Sequence, residues 1–428
     1  MMNQGFKKVE SYAAIGLCLA LLLRIIYKTI LCVYAYTASL PYKSYEISEF
    51  MINYQGGFVR RGLTGELLYR AFQIHPFSVL HFVLCFDVIA FVIFAIIIFH
   101  ICRKKQWIPV MPIALINGYL FWYRRDFFMI VISFAIFYLL FQYLRNSQRK
   151  FLIAFSTLSS LSILIYEPSF FFTIPISMLF YFCNSRAENF KQKIIDSLKV
   201  FCLPLLCMFI VCKASGNGDT ADRIWNSWQP LFDYQGIPSG APGDAISFMN
   251  MTTGSAMKFH LRLNFGISKG RMLGFSPSLV VGSMLMFIGI YFLTVTIPSL
   301  KRKTKECHIA LSDIFIFQFI CLLPMFTVLS CDFGRTINYV IYSTLFLTYA
   351  IEKYQIRYEM PVIHSLSDKV YLLCSNPICS NLLVYLTVLL LTPFTLLGGV
   401  SILNPLCKYS MGIFLRLIGK IHFLISGL

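Results

Sequence analysis

The sequence predicts an all-α fold, a polytopic integral membrane protein with about 11–12 transmembrane helices. Two observations lead to this fold class. Hydrophobic residues make up 57% of the 428 residues and charged residues only 13%, whereas soluble domains carry about 45–50% and about 25%. The apolar residues also form runs separated by charged loops, and about 20 apolar residues are enough to cross a bilayer as a helix. A soluble enzyme, a disordered chain and a small disulfide scaffold are therefore excluded.

The apolar runs give the predicted spans. They lie near residues 12–40, 78–101, 108–123, 127–144, 151–166, 169–183, 200–213, 277–299, 311–330, 338–353 and 382–403. The final stretch, 410–428, carries basic residues at helical spacing and predicts an interfacial helix or a weak last span. We therefore expect residues 1–428 to form one transmembrane domain, with residues 214–275 as a large loop within it.

The charge distribution predicts the orientation. Lys and Arg number 37 against 19 Asp and Glu, a formal net charge of +18, and such residues collect in cytoplasmic loops. A cytoplasmic N-terminus brings all the basic clusters to the inner side, and it places the large loop on the outer side of the membrane. Those clusters are Lys7/Lys8, Arg103–Lys105, Arg145/Arg149/Lys150, Lys191/Lys193/Lys199 and Lys301–Lys305. This topological explanation of the charge leaves no reason to expect a nucleic-acid partner.

Arginines on the predicted outer side run against this bias. A guanidinium pairs with phosphate through two parallel hydrogen bonds and stays charged, so several converging arginines predict a phosphate or pyrophosphate site. The alternative is lipid head-group anchoring or structural ion pairing, for example of Arg125 or Arg335 with its neighbouring aspartate. The candidate arginines are Arg60, Arg61, Arg124, Arg125, Arg262 and Arg335.

Other candidates come from aromatic and acid–base chemistry. Trp225 and Trp228 in the large loop suit stacking on sugars, although tryptophan is equally an ordinary membrane-interface residue. His260, Glu167 and Asp332 are candidate acid–base groups, and burial of Glu167 at a span end is expected to raise its pKa. The 14 cysteines are scattered without a CxxC pair, so no metal site is predicted. Fingerprints of hydrolases, zinc proteases and nucleotide-binding loops are absent from the sequence.

The chain resembles the Wzy-type O-antigen polymerases of lipopolysaccharide biosynthesis. The resemblance covers the whole length in architecture, and its local motifs are Gly57-Phe-Val-Arg-Arg-Gly-Leu-Thr-Gly65 and Asp332-Phe-Gly-Arg335. Such polymerases have two sizeable arginine-bearing outer loops, whereas only one is long here.

The resemblance implies transfer of a growing glycan from undecaprenyl pyrophosphate to a lipid-linked repeat unit, with no metal or cofactor. The implied partners are an undecaprenyl-pyrophosphate-linked oligosaccharide, the lipid bilayer and a chain-length regulator protein. Arg60, Arg61 and Arg335 would bind pyrophosphate, with Arg124 and Arg262 next. His260 or Glu167 would activate the acceptor hydroxyl.

Two alternatives remain open. Membrane glycosyltransferases of the GT-C type, including serotype-converting enzymes, take one sugar from a polyprenyl monophosphate and use an acidic residue of the first outer loop, where Glu46 and Glu49 lie. A lipid-linked sugar flippase or other transporter would carry charges inside the membrane. Arg24, Lys28 and Asp87 are the candidates for such charges, although an Arg24–Asp87 ion pair would be purely structural.

Overall fold

The computed structural model describes residues 41–105, 125–236, 238–264, 305–330 and 333–374. Throughout these ranges the regular structure is helical, and no strand occurs in them. The longer helices are α1 (Gly62–Ile74), α2 (Val79–Lys105), α3 (Asp126–Asn146), α4 (Arg149–Ile165), α5 (Ser169–Asn184), α6 (Phe190–Lys213), α7 (Thr220–Ser227), α8 (Gln229–Gln235), α9 (Thr253–Asn264), α10 (Lys305–Cys321), α11 (Phe333–Tyr354) and α12 (Pro361–Cys374). Shorter helical segments are Pro41–Lys43, Tyr45–Ser48, Glu49–Met51, Asp244–Ser247, Phe248–Asn250 and the π-helix Met325–Leu329.

The predicted all-α membrane class is confirmed. Within the described ranges, three helices are long and apolar enough to cross a membrane: Val79–Lys104, Asp126–Asn146 and Phe190–Lys213. Ser169–Asn184 and Ala310–Cys321 are shorter apolar helices. The remaining predicted runs among these residues also coincide with helices, namely α4 and α11.

Part of the predicted topology lies outside the described residues. This applies to the runs 12–40, 108–123, 277–299 and 382–403, and to the final stretch 410–428. It also applies to Arg24, Lys28 and the basic residues Lys7, Lys8 and Lys301–Lys303.

The apolar helices pack into a bundle around one core. Helix α4 packs against α3 and α6, and α11 packs against α3, α2 and α10. Several serines are buried inside α4, where an unbonded hydroxyl would be costly. Ser160 and Ser162 donate their hydroxyls to carbonyl oxygens of their own helix, at 2.8 and 2.7 Å. This local bonding is how polar residues are accommodated inside a bundle helix.

A second core lies at one end of the bundle. We call residues 41–77 and the described residues of 214–264 the loop layer. Residues 42–77 and 221–249 share one hydrophobic cluster that includes Phe50, Leu68, Trp225, Trp228 and Ile246, and α9 contacts it through the rings of Phe259 and Phe248. The large loop is therefore folded on the first loop.

The basic clusters among the described residues lie at the other end of the bundle. Arg103 and Lys104 lie in the last turn of α2, Arg145 lies in the last turn of α3, and Lys191 lies in the first turn of α6. In contrast, α2 and α3 begin, and α6 ends, at the loop layer. The helices therefore separate these basic residues from the loop layer, and the orientation in the membrane stays a prediction.

Gly65 marks the place where α1 packs directly on the first loop. A Cβ atom at this position would overlap the carbonyl oxygen of Ile52. Because backbone cannot rotate away as a flexible side chain does, we expect Gly65→Ala to lower the free energy of unfolding by about 1–3 kcal/mol. Gly218→Ala is the matched control, since a Cβ there meets no atom within 4 Å. Equal thermal unfolding midpoints for the two purified variants would contradict this packing.

Candidate functional site

Arg61 joins the loop layer to the helical bundle. It immediately precedes α1 in a left-handed backbone conformation, with a φ of 64°. Its guanidinium donates to the Glu167 carboxylate through Nε at 2.8 Å and Nη2 at 2.7 Å. Its Nη1 donates to the Tyr45 hydroxyl at 3.4 Å, and the Tyr166 ring centre lies 4.9 Å from Cζ. The two-point ion pair offsets the strain of an unusual backbone conformation.

The ion pair fixes the protonation of both partners. Burial alone would raise the pKa of Glu167, but the charge and hydrogen bonds of Arg61 outweigh it and lower that pKa to about 2. Burial would lower the pKa of Arg61, yet Glu167 and Tyr45 raise it well above the ordinary value. The predicted rise in the pKa of Glu167 is therefore wrong. A carboxylate so weakly basic and so fully bonded is poorly suited to act as a general base.

Arg60 differs from Arg61 in the bonding of its guanidinium. Its side chain is half-buried, and within the part of the chain that the structure describes its guanidinium makes no hydrogen bond and no ion pair. Burial lowers the pKa of Arg60, Glu167 opposes that effect, and Arg61 reinforces it. An arginine nevertheless stays protonated in proteins. Arg60, Arg61 and Glu167 together therefore carry a formal net charge of one positive unit, which favours the binding of an anion.

Arg125 is a structural residue. Its side chain is 0% exposed. Nη1 donates to the carbonyl oxygen of Ile165 at 2.7 Å, Nη2 donates to the carbonyl oxygen of Glu49, and Nε lies 3.6 Å from the Glu49 carboxylate. Its ion-pair partner is Glu49 and not the neighbouring Asp126, whose carboxylate accepts from the Tyr339 hydroxyl. The predicted role of Arg125 as a substrate ligand is therefore contradicted, because a buried and bonded guanidinium cannot reach a substrate.

The two tryptophans are core residues. Trp225 is 1% exposed and Trp228 is 0% exposed. The Trp225 indole donates to the carbonyl oxygen of Gly240 at 3.0 Å, and the Trp228 indole donates to that of Met51 at 2.9 Å. The predicted glycan stacking is contradicted, because neither ring face is accessible. The rings instead hold the two segments of the loop layer together.

His260 lies in the loop layer and is linked to the arginine site by aromatic contacts. Ring centres are 6.4 Å apart for Tyr45 and Phe248, 5.9 Å for Phe248 and Phe259, and 5.5 Å for Phe259 and His260. Tyr45 in turn accepts from Arg61. The predicted acid–base histidine is therefore connected to Arg61 through three ring contacts and one hydrogen bond.

The remaining predicted site residues are described in part or not at all. Arg124 and Asp332 lie outside the described residues. Arg262 is in α9 and Arg335 is in α11, but their side chains lie outside the description.

Two acidic candidates of the alternatives have defined places. Glu49 is buried against Arg125, so its carboxylate is committed to that contact. Asp87 is buried within α2, and neither of its carboxylate oxygens has a hydrogen-bond partner among the described residues. Its predicted partner Arg24 lies outside those residues, so the pairing stays a prediction.

Tyr45 and Tyr166 are the site residues that the sequence analysis missed. They flank the Arg61 guanidinium. The signal was adjacency in the chain, since each tyrosine directly precedes a candidate carboxylate, Glu46 or Glu167.

Comparison with known proteins adds one family. A family model described as "Uncharacterised membrane protein Rv1490" matches residues 12–112, a stretch that contains Arg60, Arg61, α1 and α2. No curated protein and no solved structure matches the chain. This description agrees with the membrane class of the fold, and it names no activity.

Proposed function

We propose that the protein is a membrane glycosyltransferase of the O-antigen polymerase kind, which transfers a growing glycan from undecaprenyl pyrophosphate to a lipid-linked repeat unit. The observation that carries this proposal is the half-buried Arg60 guanidinium, which has no hydrogen-bond or ion-pair partner in the described part of the chain. Phosphate oxygens are well matched to such a group, because a guanidinium offers a planar fork of donors.

The ion pair beside Arg60 favours an external anion over an internal one. Glu167 is the nearby carboxylate, but both of its oxygens accept hydrogen bonds from Arg61. Glu167 therefore neutralises Arg61 and leaves Arg60 to a ligand. Arg61 then acts as a positioning residue, since it holds the backbone next to Arg60 against the bundle.

In the proposed transfer step one bond forms and one bond breaks. The acceptor hydroxyl oxygen forms a bond to C1 of the donor sugar, while the bond between C1 and the pyrophosphate oxygen breaks. The bonding pair stays on pyrophosphate, where Arg60 stabilises the charge that develops. The hydroxyl proton passes to a base, for which we propose His260 because ring contacts through Phe259 and Phe248 connect it to the tyrosine that Arg61 contacts.

The proposal includes a location and partners. The separation of the loop layer from the basic clusters supports an inner-membrane protein with a cytoplasmic N-terminus and a periplasmic site. The substrates would then be undecaprenyl-linked oligosaccharides on the periplasmic face, and a chain-length regulator is the proposed protein partner.

A second candidate, a GT-C type transferase of single sugars, is favoured by the position of Glu46. This residue lies in the first turn of the short helix Tyr45–Ser48, which also presents Tyr45 to Arg61, so a first-loop carboxylate belongs to the segment that contacts the arginine site. The two candidates differ in product, because a polymerase makes a ladder of repeat units and a single-sugar transferase alters the composition of each unit.

The test is complementation of a deletion strain with Arg60 variants. We expect wild type to restore the polysaccharide ladder, Arg60→Ala to leave a single-repeat band, and Arg60→Lys to restore part of the ladder. Arg70→Ala is the matched control, because Arg70 is an exposed arginine of the same loop that is paired with Glu66 at 2.8 Å.

The outcomes separate the candidates once equal amounts of protein are present in the membrane. A full ladder with Arg60→Ala would contradict the role of Arg60. Two results together would favour the single-sugar transferase. The deletion strain itself would keep a full ladder with an altered sugar composition, and complementation with Glu46→Gln would fail to restore the original composition.

A further inference from the structure

Helix α1 has apolar residues on two opposite faces. One face packs into the core of the loop layer through Gly62, Gly65, Leu68 and Phe72. The opposite face carries Leu67 and Ile74, which are 62% and 86% exposed. A helix that merely covers a water-soluble loop would present polar residues on its outer face.

The polar residues of α1 occupy its flank. Glu66 and Gln73 project from a side about a third of a turn away from Leu67 and Ile74, because an α-helix has about 3.6 residues per turn. Arg70 emerges beside the apolar face, and its Nε is bonded to Glu66 at 2.8 Å. An apolar face with a cationic group at its edge is typical of a helix that lies in a membrane interface.

The exposed face of α1 is close in the chain to the lipid-facing surface of a span. Only residues 75–78 separate α1 from α2, which begins at Val79 and is long and apolar enough to cross the membrane. Helix α2 has its own exposed apolar residues, beginning with Phe82 and continuing through Ile89 and Ile96. A span must present such residues to acyl chains, and a connection this short keeps the end of α1 at the bilayer surface.

We infer that α1 is an interfacial helix whose Leu67 and Ile74 contact lipid acyl chains. Arg60 lies two residues before this helix. A helix embedded at the acyl boundary therefore holds the Arg60 guanidinium at the depth of the lipid head groups. The anion that binds Arg60 is then a phosphate carried on a lipid, and it reaches Arg60 along the plane of the membrane. This statement about the anion rests on the proposed function, whereas the placement of α1 does not.

Depth-dependent fluorescence quenching tests the membrane contact without any activity. The full-length protein is reconstituted in lipid nanodiscs as wild type and as the variants Leu67→Trp, Ile74→Trp and Gln73→Trp. The signal of the four native tryptophans is subtracted with the wild-type protein. We expect lipids brominated on their acyl chains to quench the added tryptophan at positions 67 and 74, and aqueous iodide to quench the one at position 73.

The opposite quenching pattern would contradict the placement of α1 in the membrane interface. If Leu67→Trp and Ile74→Trp respond to iodide as strongly as Gln73→Trp and are not quenched by brominated lipid, α1 lies in water and the inference is overturned. Two positions on the same face guard against local misfolding of one variant, and both are already exposed.

A competition experiment tests the lipid origin of the phosphate. In an assay of transfer from undecaprenyl pyrophosphate glycan, added undecaprenyl phosphate is expected to inhibit at concentrations where inorganic pyrophosphate does not. Equal inhibition by both would overturn lateral delivery while leaving the interfacial placement of α1 intact. Absence of any transfer, with the expected quenching pattern, would instead reject the proposed function alone.

Discussion

Replacing Arg125 with leucine is expected to lower the free energy of unfolding by about 3–5 kcal/mol, because removal of one member of a buried ion pair leaves the other charge uncompensated. The Glu49 carboxylate would stay buried without its cation, and the carbonyl oxygens of Ile165 and Glu49 would each lose a charged donor. Since these groups connect the loop layer to α3 and α4, we expect the loop layer to loosen as well.

Thermal unfolding of the purified protein in detergent measures this loss. Arg70→Leu is the control, because its exposed i,i+4 pair with Glu66 is worth only about 0.3–0.5 kcal/mol. The double variant Arg125→Gln with Glu49→Gln removes both charges and should recover part of the stability. If Arg125→Leu unfolds at the temperature of Arg70→Leu, the buried ion pair does not hold the two layers together.

Acidification is expected to weaken the Arg61–Glu167 ion pair in a defined pH window. The pKa of Glu167 falls from 4.5 to about 2 on folding. A depressed carboxyl pKa stabilises the fold above the unfolded value, and this stabilisation is lost as the pH falls from about 4.5 toward about 2. At about 1.4 kcal/mol per pKa unit, the contribution amounts to about 3 kcal/mol at neutral pH.

The difference between wild type and Glu167→Gln isolates this contribution from other titrating groups. At pH 7 the variant should be less stable, and the gap should narrow as the pH approaches 2. Glu66→Gln serves as a control for a carboxyl with a smaller lowering of its pKa. A gap that does not change between pH 5 and pH 2.5 would mean that Glu167 is not paired as described.

The fold class was predictable because it depends on local composition. Long apolar runs such as 78–101 and 127–144 specify helices wherever they sit, and the structure has α2 and α3 at these places. The predicted run 200–213 covers only part of α6, because this helix begins at Phe190. Its first turns carry lysines that interrupt the apolar pattern, although they do not interrupt the helix.

The loop layer was not predictable, because its contacts join distant parts of the chain. Trp228 bonds to Met51, and Tyr42 bonds to Gln235. In the sequence these loops have the mixed composition and the Gly and Pro content of exposed segments. Only the pairing of two such segments creates a core that buries Trp225 and Trp228.

The arginines show the same limit at the candidate site. Arg60 and Arg61 are neighbours with equal chemistry, yet only Arg61 pairs with Glu167. Arg125 and Asp126 suggested a local ion pair, but Arg125 turns to Glu49. The sequence identifies which residues carry charge. The partners of Arg125 and Arg61, however, lie 76 and 106 positions away in the chain, and only the fold brings them together.

Equilibrium binding of undecaprenyl pyrophosphate to the full-length protein in neutral-lipid nanodiscs is the most direct measurement of the role of Arg60. We predict that wild type and Arg70→Ala bind equally, and that Arg60→Ala binds about tenfold more weakly or worse, because a lost hydrogen bond to a charged group costs about 1.5–3 kcal/mol. Equal affinity of wild type and Arg60→Ala would contradict an anion site at Arg60 and, with it, the proposed glycan transfer.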